Sequence, residues 1–332
     1  MSPRVSVVIP TYKSAAWVEE TLESVIRQTY PAELLEIVVV DDASPDDSVR
    51  VASKFLERQA VKSRVVAREK NAGAGANRNA GWQLAEGDWI QFLDADDLLA
   101  PHKIALQMQR VSDAPDDVAV VYSSWQYYME QDGKWQASGP LNAPFVDDSP
   151  IVRILEHPTF GYVGPTLMRR SYVAKVQGFI EKPNLGEDLD LMLRIAMAGG
   201  KYREARSEGK PGLLYRQWPD SLWRSYMKNV EAMRNVLQTF RNAEEFLREQ
   251  SPGGLSREAK TALATRYSRW ADFYREQDPE TFQKLKGWLH GLGLNRPNNL
   301  SKGMDLLASV IGYDRACQAR DLFRDGKKRL RS

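Results

Sequence analysis

Short apolar runs alternate with amphipathic segments through the first third of the chain. The apolar runs predict strands at residues 5–10, 34–42, 64–68, 88–97 and 118–124, and the segments between them predict helices at 15–28, 46–59, 74–85 and 102–112. This alternation predicts a mainly parallel sheet covered by helices on both faces. The continuous run "IVVV" at 37–40 is typical of a strand that is buried on both sides.

The pattern changes twice further along the chain. Residues 125–150 have no clear period, with "EQDGK" as a predicted hairpin tip, and extended runs return at 164–168 and 211–218 on either side of a helix that begins near Glu187. After Trp223 the strand signal ends. Helices are predicted at 225–250, 256–277, 280–290, 301–312 and 315–329, with breaks at "SPGG" and "NRPNN". We therefore expect an α/β domain over 1–224 and a helical C-terminal region over 225–332.

The composition is that of an ordinary globular protein. Apolar residues make up 42% of the chain, charged residues 27%, and the net charge of +2 does not favour a nucleic-acid partner. Cys317 is the single cysteine and the three histidines, His102, His157 and His290, are far apart, so neither a disulfide framework nor a Cys/His metal site is predicted. No apolar run approaches the roughly 18 residues that span a bilayer. We expect a cytoplasmic protein, or one that lies on the inner face of the cell membrane without crossing it.

Acidic residues directly follow two of the predicted strands. Asp41 and Asp42 follow "IVVV", and Asp94, Asp96 and Asp97 end the run "WIQFLDADD". Ligands bind at the C-terminal ends of strands in open α/β sheets, and side chains at i and i+2 of an extended segment point the same way. Asp94 and Asp96 can therefore reach one Mg²⁺ or Mn²⁺ ion, which takes its other ligands from water and phosphate. This predicts a nucleotide-activated substrate; the structural alternative is that these acids cap the next helix.

A second acidic pair opens the predicted helix in "GEDLDLMLRIAMAGG". Glu187 and Asp188 lie at its N-terminus, where the helix dipole favours negative charge, and that stabilisation is one explanation of the pair. The same field keeps Asp188 ionised at neutral pH. Beside a metal-bound diphosphate, an ionised carboxylate can accept the proton of an attacking hydroxyl, which makes Asp188 a candidate general base.

Five segments of the chain, in order, resemble family 2 glycosyltransferases of the GT-A fold. They are "VSVVIPTYKSAAWVEETLESVIRQTYP", "EIVVVDDASPDDS", "NAGAGANRNAGWQLAEGDWIQFLDADD", "GEDLDLMLRIAMAGG" and "YRQWPDSLWR", and they cover about residues 4–224. The resemblance implies a Rossmann-like, mixed but mainly parallel sheet flanked by helices, with an all-helical C-terminal extension. It also implies nucleotide-sugar binding over about 1–100, acceptor binding over about 101–224, and the biosynthesis of bacterial cell-surface polysaccharide.

The resemblance implies a binding loop for the nucleotide base. Pro10, Thr11 and Tyr12 form its first part, with Tyr12 stacked on the base, and Asp42, together with Asp41, accepts a base N–H. Two structural alternatives apply here: core packing of Tyr12, and capping of the following turn by Asp42.

The resemblance also implies roles along the diphosphate. Arg78 reaches the nucleotide, and Asp94, Ala95 and Asp96 form the D-x-D motif at the donor. Asp94 and Asp96 hold Mn²⁺ or Mg²⁺, with Asp96 the more direct ligand, and Asp97 supports them. The alternative for Arg78 is a surface cation on a solvated helix face. The preceding "AGAGA" does not match a G-x-G-x-x-G loop and indicates close approach of the backbone.

The resemblance implies roles for the second acidic pair, and the chain departs from the family pattern at one segment. Asp188 is implied as the general base, with Glu187 orienting it or the acceptor. Many family members carry a histidine in the segment where this chain has Gln217 and Trp218. Arg216 and Arg224 are then the candidate contacts of the diphosphate, and Trp218 either leaves the metal more weakly bound or lines the sugar pocket.

Fewer sequence motifs indicate where the acceptor binds. Segments 125–150 and 157–173 are candidates for it because aromatic faces suit sugar rings, although core packing explains Trp125, Tyr127, Tyr128 and Trp135 equally well. The last 18 residues hold seven Lys or Arg and two Asp. This end is a candidate for peripheral contact with anionic lipid; a solvated helix end and a homodimer contact are the alternatives.

The sequence as a whole predicts a glycosyltransferase of the hexosyltransferase type. It would move a sugar from a nucleotide-sugar donor, foremost a UDP-sugar, to a hydroxyl of a glycan or lipid-linked saccharide, with inversion and a divalent metal. A sugar-phosphate nucleotidyltransferase is the first alternative, but "PTYKSAA" lacks the glycine- and arginine-rich loop of that class. A binding module without turnover is the second, and the intact Asp94, Asp96 and Asp188 argue against it.

Overall fold

The protein is described by a computed structural model over residues 3–112, 115–143, 149–157, 161–181, 186–207, 209–218 and 230–293. The chain divides into two compact units, and the second begins at Phe240. The boundary predicted near residue 224, Arg224 itself, and the helices predicted at 301–312 and 315–329 lie outside the described residues.

The described strands and helices follow the predicted alternation through the first third of the chain. The strand predicted at 88–97 is too long, because it ends at Phe92 and the chain turns at 94–97, where Asp97 N donates to Asp94 O at 3.1 Å. The strands are β1 (Val5–Thr11), β2 (Leu35–Asp41), β3 (Lys62–Ala67), β4 (Trp89–Phe92), β5 (Leu98–Leu99), β6 (Val118–Ser123), β7 (Trp125–Gln131), β8 (Lys134–Asn142), β9 (Thr166–Arg169), β10 (Lys201–Ala205) and β11 (Leu213–Gln217). The helices are α1 (Val18–Ile26), α2 (Ser48–Leu56), α3 (Ala74–Leu84), α4 (Lys103–Gln109), α5 (Pro150–Glu156), α6 (Arg170–Lys175), α7 (Glu187–Met197), α8 (Val230–Glu249), α9 (Arg257–Gln277) and α10 (Pro279–Gly291).

The larger sheet has seven strands in the order β10-β6-β9-β4-β1-β2-β3. The strands β4, β1, β2 and β3 run parallel, as do β10 and β6, whereas β9 is antiparallel to both of its neighbours. Every residue of β2 is buried, as its continuous apolar run predicts. The predicted α/β class with a mainly parallel sheet is confirmed.

A smaller sheet has the order β5-β11-β7-β8. The prediction of irregular chain over 125–150 is wrong for most of that range, because β7 and β8 form an antiparallel hairpin. The predicted tip is confirmed, with Asp132 and Gly133 both at positive φ. Strand β10 was not predicted because its sequence "KYREA" places charged side chains on a strand at the edge of the sheet.

The described part of the helical region, 230–293, contains three helices near their predicted positions. "SPGG" separates α8 from α9, as predicted. Helix α9 is capped by Ser256, whose Oγ accepts a hydrogen bond from Ala259 N at 3.1 Å, and α10 has Asp278 as its cap with Pro279 next. None of the helices within the described residues has the length and apolar character needed to cross a membrane.

Parallel pairing brings the strand ends that carry the candidate acids to one edge. Thr11 on β1 pairs with Asp41 on β2, and Val8 on β1 pairs with Phe92 on β4. Because β1, β2 and β4 are parallel neighbours, the segments that follow them all leave the sheet at this edge.

A buried lysine forms the centre of a hydrogen-bond network that links α4, β4, β6 and the chain before β9. Lys103 on α4 is 1% exposed and donates to Gln91 Oε1 and, at 2.8 Å, to Gln107 Oε1. Both glutamine amides donate in turn to backbone carbonyls, including those of Gly164 and Pro165. Burial holds the pKa of the Lys103 amine well below its usual range. The network fixes the chain that enters β9 against β4 and β6.

Replacement of this lysine tests the network. Lys103→Met would leave two buried amide oxygens without a donor, and neither glutamine can turn over because its amide nitrogen is already bonded. We expect the free energy of unfolding, measured by urea denaturation, to fall by about 2–4 kcal/mol. Lys201→Met is the matched control, because Lys201 is 68% exposed and pairs with Asp117 at the surface. Equal losses in the two variants would contradict a structural role for Lys103.

Candidate active site

The acids predicted from two distant segments meet at one buried arginine. The Arg78 side chain, on α3, is only 7% exposed. Its Nη2 lies 2.7 Å from Asp94 Oδ1, and its Nη1 lies 2.5 Å from Glu187 Oε1 and 3.2 Å from Asp188 Oδ1. The Phe179 ring packs against the guanidinium, with 5.3 Å between Arg78 Cζ and the ring centroid. The D-x-D acid and the Glu-Asp pair are therefore parts of one site, and the alternative of a solvated Arg78 is wrong.

Burial makes the two acids of α7 unusually basic. It raises the pKa of Asp188 to about 6; Arg78 opposes this shift, and repulsion by Asp94 adds to it. Burial likewise raises the pKa of Glu187 to about 7, again opposed by Arg78. Asp188 also accepts a hydrogen bond from Val163 N at 3.2 Å. Asp188 therefore holds a proton more strongly than an ordinary aspartate, and its predicted ionisation at neutral pH stays a prediction.

Glycine in "AGAGA" allows α3 to approach these acids. A Cβ at Gly75 would lie 2.7 Å from Ile180 O and 2.9 Å from Glu187 Oε2, which are closer than real Cβ contacts. Gly73, at the start of the helix, has φ of +90°. The predicted close backbone approach is present, and its partner is Glu187, which the sequence pattern did not indicate.

The three aspartates after β4 lie in different surroundings. Asp94 and Asp96 are partly exposed, whereas Asp97 is fully buried and accepts hydrogen bonds from the Tyr162 hydroxyl and, at 2.9 Å, from Arg216 N. Burial, with repulsion by Asp94, raises the pKa of Asp96 to about 6, and burial raises that of Asp97 well above its usual range. Asp97 therefore anchors the loop, while Asp94 and Asp96 stay partly exposed.

The loop is also fixed through its backbone. Ala95 is buried and its carbonyl accepts a hydrogen bond from the Thr21 hydroxyl of α1 at 2.9 Å. The predicted donor contact of Ala95 stays a prediction.

The chemistry of Asp94 and Asp96 fits a hard divalent cation. Both supply carboxylate oxygens and both are partly exposed. Among the described residues, no group of three or more His, Cys, Asp or Glu side chains is placed to hold a metal ion. An ion bound by these two side chains would therefore complete its shell with water and phosphate oxygens, as Mg²⁺ and Mn²⁺ usually do.

Tyr12 lies exposed at the end of β1. Its side chain is 41% exposed and Lys13 Nζ lies 5.3 Å from its ring centroid, so the core-packing alternative is wrong. Pro10 is half-buried, and the buried Thr11 accepts a hydrogen bond from Asp42 N at 2.9 Å. The aromatic face of Tyr12 is available for stacking, and the base contacts of these three residues stay predictions.

Asp41 and Asp42 are both buried and both organise loops. Asp41 accepts from the backbone N–H of Ser44 at 2.8 Å, so the turn-capping role proposed for Asp42 belongs to Asp41. Asp42 accepts from Ala72 N at 3.0 Å and Gly73 N at 2.8 Å, which ties the end of β2 to the start of α3. Their predicted contact with a base N–H stays a prediction.

Arg216, on β11, is a second buried arginine. Its guanidinium lies between the rings of Trp17, Tyr128 and Trp135, with Cζ 4.5 to 5.1 Å from the three ring centroids. It donates to Asp96 O at 2.6 Å and to Glu20 Oε2 at 2.5 Å. The arginine therefore fixes the acidic loop from within the protein, and its predicted diphosphate contact stays a prediction.

Trp218, just after β11, contacts the D-x-D motif directly. Its indole Nε1 donates to Asp96 Oδ2 at 2.9 Å. The sequence pattern did not indicate this contact, although an aromatic N–H donor directly after a strand was the available signal.

The other aromatic residues expected at the acceptor mostly pack together. Trp125 is 3% exposed, and its ring contacts those of Tyr127, Tyr162 and Tyr215 at centroid distances of 5.2 to 6.1 Å. Tyr128 and Trp135 surround Arg216. These contacts favour the core-packing alternative for this group.

Comparisons with known proteins agree with the predicted fold. The structure resembles TarS 1-349 of Staphylococcus aureus in complex with UDP-GlcNAc, with a TM-score of 0.64 and 18% identity over 97% of this chain and 92% of that one. It also resembles the mannosyltransferase PcManGT of Pyrobaculum calidifontis in complex with GDP-Man and Mn²⁺, with a TM-score of 0.54 and 19% identity over 88% and 86% of the two chains. The predicted GT-A type of fold with C-terminal helices is confirmed.

The sequence comparisons identify the family. Glycosyltransferase GlyG of Streptococcus pneumoniae is 33% identical over 41% of this chain, and the match spans 43% of GlyG, less than half of its length. The family model described as "Glycosyl transferase family 2" matches residues 6–177, more than half of the chain. The protein therefore belongs to glycosyl transferase family 2.

Proposed function

We propose that the protein transfers a sugar from a nucleoside-diphosphate sugar, foremost a UDP-sugar, to a hydroxyl of a glycan or lipid-linked saccharide. The observation that carries this proposal is the meeting of Asp94 with Glu187 and Asp188 on Arg78. One side of the cluster offers oxygens for a cation on the donor diphosphate, and the other offers a carboxylate base for the acceptor. This pairing favours transfer over the two alternatives, because neither nucleotidyl transfer nor binding alone requires a base for an acceptor hydroxyl.

In the proposed reaction, Asp188 accepts the proton of the acceptor hydroxyl. The hydroxyl oxygen forms a bond to the anomeric carbon while the bond from that carbon to the diphosphate oxygen breaks, and the electron pair leaves with the diphosphate. A single displacement of this kind inverts the anomeric centre and requires no covalent nucleophile. Glu187 shares the guanidinium of Arg78 with Asp188 and so fixes the position of the base.

Asp94 and Asp96 are the residues that would hold Mn²⁺ or Mg²⁺. When bound, such an ion neutralises charge that develops on the leaving diphosphate. Arg78 holds Asp94 by one carboxylate oxygen, and Trp218 holds Asp96 by one. Both side chains are thereby oriented before a donor arrives.

The base assignment is tested by Asp188→Asn. The variant keeps the shape of the side chain but cannot accept the proton, so we expect turnover to fall by about 10²–10⁴-fold while the affinity for the donor, measured by calorimetry, is retained. Asp190→Asn is the matched control, because Asp190 lies in the same helical turn but pairs with Arg194. Full transfer activity in Asp188→Asn would contradict the assignment.

The raised pKa of Asp188 predicts the pH dependence of turnover. A base must be ionised to act, so kcat/KM, which reports the free enzyme, should fall as the pH decreases through about 6 rather than through the lower pKa of an ordinary aspartate. Rates at donor and acceptor concentrations well below KM, between about pH 5 and 8, would measure this. A rate that stays constant down to about pH 4.5 would rule out a base of this pKa.

The donor is tested by thermal shift. A ligand that binds only the folded protein raises the melting temperature, so UDP-, dTDP- and GDP-sugars can be compared with Mn²⁺ present. We expect the largest rise with a UDP-sugar and a smaller rise when Mn²⁺ is replaced by a chelator. The absence of any rise with all three classes would contradict the proposed function.

A further inference from the structure

We propose that Trp218 is a positioning residue for Asp96, with an indole N–H that holds this carboxylate in place beside Asp94. The proposal rests on the proposed function, because it concerns the cation that Asp94 and Asp96 would share. It assigns to the chain after β11 a direct part in shaping the donor site.

The contact has the geometry of a good hydrogen bond. Trp218 Nε1 lies 2.9 Å from Asp96 Oδ2. The indole nitrogen only donates and the ionised carboxylate only accepts, so the polarity of this contact is fixed. A hydrogen bond to a charged acceptor is also stronger than one between neutral groups.

The hydrogen bond from Trp218 opposes the repulsion between Asp94 and Asp96. Asp94 and Asp96 lie two residues apart in one short turn, so their like charges repel each other. Without a cation, like charges favour a rotation of Asp96 away from Asp94. Asp94 is held against this repulsion by Arg78. The N–H of Trp218 gives Asp96 the corresponding restraint.

The position of Trp218 is itself well defined. Strand β11 pairs with β7 through residue Gln217, so Trp218 directly follows a paired residue. Two residues earlier, Arg216 donates its backbone N–H to Asp97 Oδ1 at 2.9 Å and its Nε to Asp96 O at 2.6 Å. These two hydrogen bonds fix the end of β11 against the acidic loop. The indole of Trp218 adds a third bond between the same two segments.

Hydrogen bonds that orient metal-binding carboxylates have a measurable effect. Loss of such a partner typically weakens metal binding by about 10- to 100-fold. Trp218→Phe keeps an aromatic ring but removes the N–H donor together with the five-membered part of the indole. We therefore expect Trp218→Phe to bind Mn²⁺ about tenfold more weakly in the presence of UDP.

The experiment is a calorimetric titration of Mn²⁺ into the full chain with saturating UDP. Trp125→Phe is the matched control. Trp125 lies on β7, the strand next to β11, and its indole ring packs on Tyr215. We expect its Mn²⁺ affinity to equal that of the wild type, and that of Asp96→Asn to be lost. In turnover assays, Trp218→Phe should require more Mn²⁺ for half-maximal rate, with kcat close to wild type at saturating Mn²⁺. A merely structural role would instead lower kcat and the melting temperature together.

The outcomes separate this inference from the proposed function. Wild-type Mn²⁺ affinity in Trp218→Phe, with binding lost in Asp96→Asn, would overturn the role of Trp218 and leave the cation site intact. Unchanged binding in Asp96→Asn, or no Mn²⁺ binding by the wild type with UDP, would instead contradict the proposed cation site. If Trp218→Phe does not fold, Trp218→Gln against Trp218→Leu gives the same comparison, since only glutamine offers an N–H donor. Equal affinities in that pair would overturn the proposal.

Discussion

The site depends on one buried guanidinium that holds three carboxylates. Glu187 and Asp188 are desolvated beside the partly exposed Asp94, where like charges repel strongly because little water separates them. Arg78 supplies the opposite charge and the planar fork of donors that such a cluster requires. The balance is incomplete, because burial still raises the pKa of both acids of α7. That incomplete balance makes Asp188 more basic than an ordinary aspartate, as the proposed role requires.

The fold brings these groups together through backbone features that contribute no charge. Parallel pairing of β4 with β1 and β2 delivers the acidic loop to the same edge as the start of α3. Gly75 then lets α3 approach Glu187 more closely than any side chain would permit. Asp42 holds the start of that helix by accepting from Ala72 and Gly73. The position of Arg78 is therefore set by strand register and by glycine, and not by the ion pairs alone.

Local sequence patterns predicted the strands and the strand-end acids, because these features depend on residues that are close together in the chain. The apolar runs gave β1, β2 and β4, and the rule for strand ends placed Asp41, Asp94 and their neighbours at one edge. Contacts between distant segments were beyond such patterns: Arg78 and Glu187 are 109 residues apart, and Trp218 and Asp96 are 122 apart. Strand β10 was not predicted because it carries charged residues, which water can solvate at the edge of the sheet.

Arg78 and Arg216 are both buried and bind different parts of the acidic loop. Arg216 is balanced by Glu20 and by the faces of three aromatic rings, and its guanidinium bonds to the carbonyl oxygen of Asp96 and not to the carboxylate. Arg78 engages one oxygen of Asp94 and otherwise pairs with the acids of α7. If Arg216 bound the side chains of the loop as Arg78 binds Glu187, Asp94 and Asp96 would be neutralised from within the protein. Because the guanidinium of Arg216 bonds to a backbone carbonyl and to Glu20 instead, the side chains of Asp94 and Asp96 are left partly exposed, as the proposed cation site requires.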